Sequence, residues 1–213
     1  MSFQQPVTVD ARHGSDFAGG IVEGALLRTP CGPRRIETMR PGDMVVTRCE
    51  GLQPVRMILS RKVSREEFLK SPDKAPVRIH ARGVGPMMPQ KPLLLAGDHQ
   101  IVVPGYRVDG QPDDTPVFVR AKDLLESDET AKIDKSFSSV TFFHLVFDSH
   151  VVFMVNGLPV ESFHTERSKL DRIHPEVLRK LESAIPSLRE TGHVTPAARY
   201  ALRDQITLLP ATF

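Results

Sequence analysis

Tryptophan is absent from this chain of 213 residues, cysteine occurs only twice, and aromatic residues make up 6% of the sequence. Two cysteines, Cys31 and Cys49, allow one disulfide bond at most. They favour a thiol-tolerant cytoplasmic chain over an extracellular disulfide framework. A chain of this length can bury about 70% of the surface that its unfolded form exposes, so a hydrophobic core suffices for stability.

Long apolar runs are also missing from the sequence. No stretch approaches the roughly 18 consecutive apolar residues of a membrane-spanning helix, and residues 1–16 lack the apolar centre of a secretory signal. We therefore expect no membrane contact and a cytoplasmic location, with non-classical secretion as the alternative.

Neither sign of charge is in large excess, since the chain has 28 Lys and Arg residues and 26 Asp and Glu residues. Nucleic-acid-binding proteins usually concentrate basic residues on one face and interleave aromatic residues. Here the basic residues are scattered, so the sequence predicts a solvated surface and no nucleic-acid partner.

Short β-rich runs separated by Pro, Gly and Asp fill the chain between residues 21 and 163. Such runs with turn signals between them are typical of an all-β domain. We predict a flexible leader at residues 1–18, a β body at 19–164 and a helical extension at 165–213. The predicted strand runs are Met44–Val46, Val55–Leu59, Val77–His80, Leu93–Leu95, Ile101–Val103, Val117–Val119, Val140–Phe147 and Val151–Val155.

The C-terminal extension changes from the strand period to the helical period. Pro175 stands where a first helical turn tolerates proline, and Gly192 marks the end of the first predicted helix. A second helix is predicted from Thr195 to Leu209. We expect this pair of helices to form a lid on the β body, with a docking element for a partner as the alternative. The apolar positions of the first helix are Ile173, Val177, Leu181, Ile185 and Leu188.

Two fragments of the sequence occur twice in altered form. The fragment Ile36–Asp43 has an echo at Arg120–Asp128, and both place an apolar residue four positions before an Asp. His99 and His150 each stand at the start of an apolar run. Together these echoes predict a duplicated β unit with pseudo-two-fold symmetry, which brings the two His-bearing strand starts together.

A few side chains in the β body are candidates for acid–base catalysis. His99 lies in a turn between two predicted strands, where an imidazole could donate or accept a proton. Asp148 and His150 interrupt an apolar double strand and would share a face if the chain is extended there. His144 is interpreted as a surface residue of its strand.

Metal binding and hydrolysis are two further possibilities at these residues. No Cys-x-x-Cys or His-x-x-x-His spacing occurs, so the sequence predicts no metal and no cofactor. A Cys/His hydrolase would use Cys31 or Cys49 as nucleophile and His99 as base.

Three segments in this order resemble Hint domains, the Hedgehog/intein self-processing family, and look closest to its bacterial free-standing branch. They are Gly24–Thr47, Gly97-Asp98-His99 and Val140–Phe163, and the resemblance covers residues 20–163. It implies a Hint-type β horseshoe with pseudo-two-fold duplicated subunits, and an ability to cleave its own backbone. In the family, a Cys or Ser at the first position attacks the preceding carbonyl, and a Thr-x-x-His motif assists.

Carried over residue by residue, His99 matches the motif histidine, and Asp148 and His150 fall in the closing segment. Gly20 stands at the position of the nucleophile, and Ala96 stands at that of the motif Thr. No terminal Asn follows the closing motif, so splicing is not supported.

The sequence therefore favours a degenerate Hint domain, inactive and retained as a structural or interaction module for an unidentified protein partner. One alternative is an active self-cleaving domain with a displaced nucleophile, Ser15 or Cys31. The other is the Cys/His hydrolase that acts on a separate substrate.

Overall fold

The computed structural model describes residues 7–10, 19–126, 129–164, 170–171, 173–191, 200–201, 203 and 206–210. Within them the chain is mainly β, as the sequence predicts, and every predicted run overlaps a strand. The flexibility predicted for the leader falls mostly on residues outside these ranges. The strands are β1 Val7–Asp10, β2 Ile21–Val22, β3 Leu26–Thr29, β4 Gly32–Arg35, β5 Met44–Val46, β6 Leu52–Pro54, β7 Met57–Ser64, β8 Val77–Ile79, β9 Leu93–Leu95, β10 Gln100–Val103, β11 Val117–Arg120, β12 Ala131–Ile133, β13 Ser139–Val146, β14 Val152–Val155 and β15 Leu158–Glu161. The helices are α1 Arg65–Lys70, α2 Pro175–Ala184 and α3 Pro186–Thr191.

The strands form two large sheets and a small hairpin. The first sheet has the order β1-β7-β13-β2-β9-β8-β12, the second has the order β11-β10-β15-β14-β3-β4, and β5 pairs with β6. One core cluster takes side chains from both sheets, such as Ile21 and Leu95 from the first and Val103 and Phe153 from the second. The two sheets therefore share one hydrophobic core.

The repeated sequence fragments adopt the same local structure. Ile36–Thr38 and Ala121–Leu124 are both 3₁₀ turns that follow an extended arginine, and both begin with a fully buried residue. β10 and β14 lie on either side of β15, so the residues before both strands reach the same end of the sheet. The arrangement agrees with the duplicated β unit that the echoes predict.

The predicted first helix forms as two helices, α2 and α3. Proline disfavours the helical conformation in the residue before it, and Ile185, which precedes Pro186, has φ −128° and ψ 88°. The predicted apolar positions are buried and pack on Met57 and Leu59 of β7. The two helices therefore form the expected lid on the β body.

The predicted second helix is not seen in the described residues. Residues 192–199, 202, 204 and 205 lie outside them, and Ile206–Leu209 is not helical, with Leu208 bridging Val108. Here the backbone of Asp109 donates to Thr207, and Leu209 donates to Arg107. These bonds to neighbouring chain replace those of a helix, and Ile206 enters the main core. The C-terminal pair of helices thus lies within residues 175–191.

Candidate functional site

The dipeptide Gly19-Gly20 leads into β2 and is buried. The N–H of Gly20 donates to Nδ1 of His99 at 3.1 Å, and its carbonyl accepts from the N–H of Ala96 at 2.9 Å. His99 is only 1% exposed. The turn from Ala96 to His99 therefore holds the backbone of Gly20 through both its N–H and its C=O. The sequence prediction named Gly20, Ala96 and His99 separately, and the fold brings them together.

Both glycines have backbone conformations that favour glycine, with φ +90° at Gly19 and +121° at Gly20. A Cβ atom at Gly19 would lie 3.2 Å from Nδ1 of His99 and 3.2 Å from Cε1 of His144. A Cβ atom at Gly20 would lie 2.8 Å from Cβ of Phe142. The Gly19-Gly20 junction is therefore closely packed around two residues that have no side chains.

His144 is the residue of this site that the sequence prediction missed. It lies on β13, is 5% exposed, and its ring centroid is 5.9 Å from that of His99. The ring of Phe163 packs against its other side at 5.4 Å. The prediction of a surface position was wrong because residues Phe143 to Val146 are all buried, so the usual in-and-out alternation fails there. A polar residue inside so long an apolar run was the available signal.

Neutral imidazole can accept a hydrogen bond only at its unprotonated nitrogen. Because Nδ1 of His99 accepts from Gly20, the proton of the neutral ring lies on Nε2. The unprotonated Nδ1 is the nitrogen that faces the Gly19-Gly20 peptide bond, so the ring is placed to exchange a proton with the amide nitrogen of Gly20. This geometry would let His99 carry a proton at the amide of Gly20, whereas neither Gly19 nor Gly20 has a side chain that could act as a nucleophile.

Asp148 does not reach the junction. The chain bends at Asp148 and Ser149, so the side chain of Asp148 is half exposed and forms an ion pair with Arg56 at 2.6 Å. The hydrogen bond from Arg56 to Asp148, aided by the opposite charge and opposed by slight burial, raises the pKa of the arginine. The expectation that Asp148 and His150 share one face of a strand was wrong because of this bend.

His150 is buried in a separate polar cluster. Its Nε2 lies 3.3 Å from Oε2 of Glu161, and its ring stacks on His164 with centroids 4.4 Å apart. Oε1 of Glu161 accepts from the N–H of Gln100, the residue after His99. Glu161 therefore links the two His-bearing strand starts.

The candidate nucleophiles of the alternative functions lie elsewhere. Cys31 is exposed in the turn of the β3–β4 hairpin, and Cys49 is exposed near Tyr200, with 3.9 Å between its Sγ and the tyrosine hydroxyl. Both thiols are free and at the surface, whereas His99 is buried against Gly20. Ser15 lies outside the described residues.

Two kinds of feature are absent from the described part of the chain, namely a metal-binding cluster and a membrane-spanning helix. There, no group of three or more His, Cys, Asp or Glu side chains is arranged to hold a metal ion. Within the same residues, no helix is long and apolar enough to cross a membrane.

Comparison with known proteins gives the family of the chain. A family model described as Hint domain matches residues 20–167. Among solved structures, a bacterial intein-like domain from Clostridium thermocellum is similar, with 17% identity, a TM-score of 0.40, and coverage of 68% of this chain and 97% of that chain. The gp41-1 intein is similar with 13% identity, a TM-score of 0.44, and coverage of 67% and 97%. No curated protein matches the chain. Since the family model covers more than half of the sequence, the chain belongs to the Hint domain family of autoprocessing, intein-like domains.

Proposed function

We propose that this Hint domain has lost self-cleavage at the Gly19-Gly20 junction and serves as a structural or interaction module for a protein partner. The observation that carries the proposal is the hydrogen bond from the N–H of Gly20 to Nδ1 of His99. This bond places the imidazole of His99, which can carry a proton, next to the amide nitrogen of Gly20. Acyl transfer needs a hydroxyl or thiol at that residue, and glycine has neither.

The space around Gly20 supports the same proposal. A side chain there would meet Cβ of Phe142 at 2.8 Å, an atom fixed to the backbone of β13. The φ of +121° adds strain for any residue other than glycine. Ala96 offers its backbone N–H to the carbonyl of Gly20 but no side-chain hydroxyl. The loss of the nucleophile is thus accompanied by packing that fills its place.

The experiment is the intact mass of the full chain with an N-terminal tag, incubated with and without a thiol and with hydroxylamine. The thiol intercepts a thioester, and hydroxylamine intercepts a thioester or an ester, so together they would release the leader if an acyl shift occurred. We expect the mass to stay that of the whole chain under all conditions. The His99→Ala variant is the control that separates self-cleavage from contaminating protease.

Fragments that appear in the parent and disappear in His99→Ala would contradict the proposal. Their masses would name the scissile bond, and a break next to Ser15 or Cys31 would identify a displaced nucleophile. A Gly20→Cys variant extends the test. We expect it to remain whole as well, because Phe142 occupies the space that the new side chain needs.

A cytoplasmic location and an unidentified protein partner are the remaining parts of the proposal. Cys31 and Cys49 are both free and exposed, which is typical of a reducing compartment. Fractionation of cells that express the tagged chain tests the location. Recovery of the chain in an extracellular fraction would contradict it.

A further inference from the structure

A groove of about 740 Å³ lies on the outer face of the second sheet, beside the loop that joins β8 to β9. Leu27 of β3 pairs with Val155 of β14, and both side chains are buried in the main core. Because side chains alternate between the two faces of a sheet, the neighbours of this pair lie on the face away from that core. Four of these neighbours line the groove, namely Leu26, Arg28, Met154 and Asn156.

Asn156 fixes the β8–β9 loop as the wall of the groove. Its carbonyl accepts from the N–H of Gln90 at 2.7 Å, and its Nδ2 donates to the carbonyl of Pro92 at 2.9 Å. Its Oδ1 accepts from the N–H of Leu26 at 2.9 Å. One residue in the β14–β15 turn thus ties the wall to the floor of the groove. A site that is already formed avoids the entropic cost of ordering a loop on binding.

Methionine is concentrated in this groove. Three of the seven methionines of the chain line it, namely Met87, Met88 and Met154. None of the three is fully buried, so part of their apolar surface faces solvent. Methionine side chains are flexible and polarizable, and they are frequent on surfaces that bind other proteins. The groove therefore offers a binding place for an apolar side chain.

Met87 occupies a turn position that normally has glycine. The turn Gly85-Pro86-Met87-Met88 is closed by a hydrogen bond of 2.9 Å from the N–H of Met88 to the carbonyl of Gly85. Met87 is its third residue and has φ +61°, a conformation that favours Gly or Asn there. Its side chain is 54% exposed, so packing within the fold does not account for a methionine. Residues held in such conformations cluster at sites that clamp ligands.

The charges of the groove have one sign. Arg28 and Lys91 line it and are exposed, and its lining contains no Asp or Glu. In the part of the chain that the structure describes, no carboxylate pairs with either of them. Surfaces that bind each other have complementary charges. Two cations beside an apolar floor therefore favour a segment in which carboxylates flank an apolar side chain.

The open shape of the groove favours a segment of a protein over a small molecule. Small ligands bury most of their surface in their pockets, whereas Arg28, Met87 and Lys91 leave this groove open to solvent. Addition of a strand is disfavoured here, because the edge strand β4 contains Pro33, which lacks an N–H donor. Recognition therefore depends on side chains.

We propose that this groove is the docking site for the protein partner and that it binds an acidic segment of that partner. An apolar side chain of the segment packs on the methionines, and its carboxylates pair with Arg28 and Lys91. The inference rests on the proposed function, since it names the surface by which the same interaction module binds its partner.

The test uses the full chain and a short peptide of alternating leucine and glutamate, capped at both ends and labelled with fluorescein. Fluorescence anisotropy follows binding at low and at high salt. One control peptide has lysine in place of every glutamate, and the other has serine in place of every leucine. We expect saturable binding of the leucine–glutamate peptide that weakens as salt screens the charges. Both control peptides should bind clearly more weakly.

Two charge-reversal variants locate the binding on the protein. Arg28→Glu/Lys91→Glu should weaken binding of the leucine–glutamate peptide at least about tenfold. Lys132→Glu/Lys135→Glu is the matched control, because it makes the same change of net charge at two exposed residues outside the groove. It should change the affinity by less than about twofold, since distant charges are screened. Thermal unfolding of both variants checks that they are folded.

A second pair of variants tests the apolar part of the groove. Met87→Ser removes an exposed lining side chain and should weaken binding. Met44→Ser is its matched control, because Met44 is an exposed methionine of β5 outside the groove. It should leave the affinity unchanged.

Absence of saturable binding, equal binding of the leucine–lysine peptide, or equal losses in the two charge-reversal variants would overturn the inference. A parent chain that dimerises in light scattering, and becomes monomeric in Arg28→Glu/Lys91→Glu, would assign the groove to a second copy and overturn it as well. Intact mass of the same samples shows whether the chain cleaves itself, so failure of the proposed function is recognised separately.

Discussion

At the scale of single residues, Gly19 and Gly20 show how a missing side chain can be a structural requirement. Both have positive φ; a Cβ atom at Gly19 would be in tight contact with His99 and His144, and one at Gly20 would clash with Cβ of Phe142. Gly24, four residues later, has φ +86°, but a Cβ atom added there would have nothing within 4 Å. A comparison of Gly24 with Gly20 therefore separates the cost of backbone strain from the cost of steric conflict.

We expect Gly24→Ala to lower the free energy of unfolding by about 1 kcal/mol, the usual cost of a positive φ in a residue other than glycine. Gly20→Ala should cost about 1 to 3 kcal/mol more, because its Cβ would lie 2.8 Å from that of Phe142. Urea unfolding of the two variants measures the difference. Equal losses would show that the chain relaxes at Gly20 without conflict.

His99 is expected to stabilise the fold as well as to mark the junction. His99→Ala leaves the buried N–H of Gly20 without its acceptor, which costs about 1 to 3 kcal/mol. His99→Asn offers an oxygen near the place of Nδ1 and should retain more of the stability. Thermal unfolding of both variants is the measurement. An asparagine variant as unstable as the alanine variant would argue against the hydrogen bond as the cause.

At the scale of secondary structure elements, the lid depends on one face of α2. Leu181 is fully buried against β7, whereas Leu178 on the same helix is only partly buried. We expect Leu181→Ala to cost about 2 to 5 kcal/mol, the range for a buried leucine. Leu178→Ala is the matched control, with the same change in helix propensity and a clearly smaller loss. Urea unfolding compares them, and similar losses would contradict the packing of this face on β7.

The strands could be predicted from their apolar runs because turn residues separate them clearly. The division of the helical segment into α2 and α3 could also have been read from Pro186, since proline restricts the residue before it. The non-helical path of Ile206–Leu209 could not be predicted from the sequence, because the spacing of its apolar residues fits a helix equally well. Its backbone partners, Arg107 and Asp109, are about a hundred residues away in sequence.

At the scale of the whole molecule, Asp134 links stability to pH. It is buried after β12 and pairs with Arg78 of β8 at 2.6 Å. Burial alone would raise its pKa, but hydrogen bonds from the hydroxyl and amide of Ser136, together with Arg78, outweigh it and lower the pKa. A lowered pKa in the folded state gives stability that is present above the unfolded pKa of about 4. That stability is lost as the pH falls through the folded value.

Asp134→Asn should therefore lower the free energy of unfolding at pH 7 by about 1 to 3 kcal/mol. The difference from the parent should shrink as the pH falls below about 4, because the parent then loses the same charge. Urea unfolding between pH 7 and pH 3 follows it. Asp148→Asn, in an ion pair at the surface, is the control and should cost less than about 1 kcal/mol. A loss in the free energy of unfolding of Asp134→Asn that does not change with pH would contradict the lowered pKa of Asp134.

The sequence by itself determined the β class, the duplicated unit, the apolar face of the lid, and the glycine at the junction. These features depend on local patterns, namely strand and helix periods, turn residues and the order of motifs. Only the tertiary structure decided which polar residues meet. His144 lies next to His99 and Gly20 because β13 is covered on both faces. A bend at Asp148 and Ser149 places the side chain of Asp148 at the surface. Contacts between distant segments depend on how sheets pack, and no local period encodes that packing.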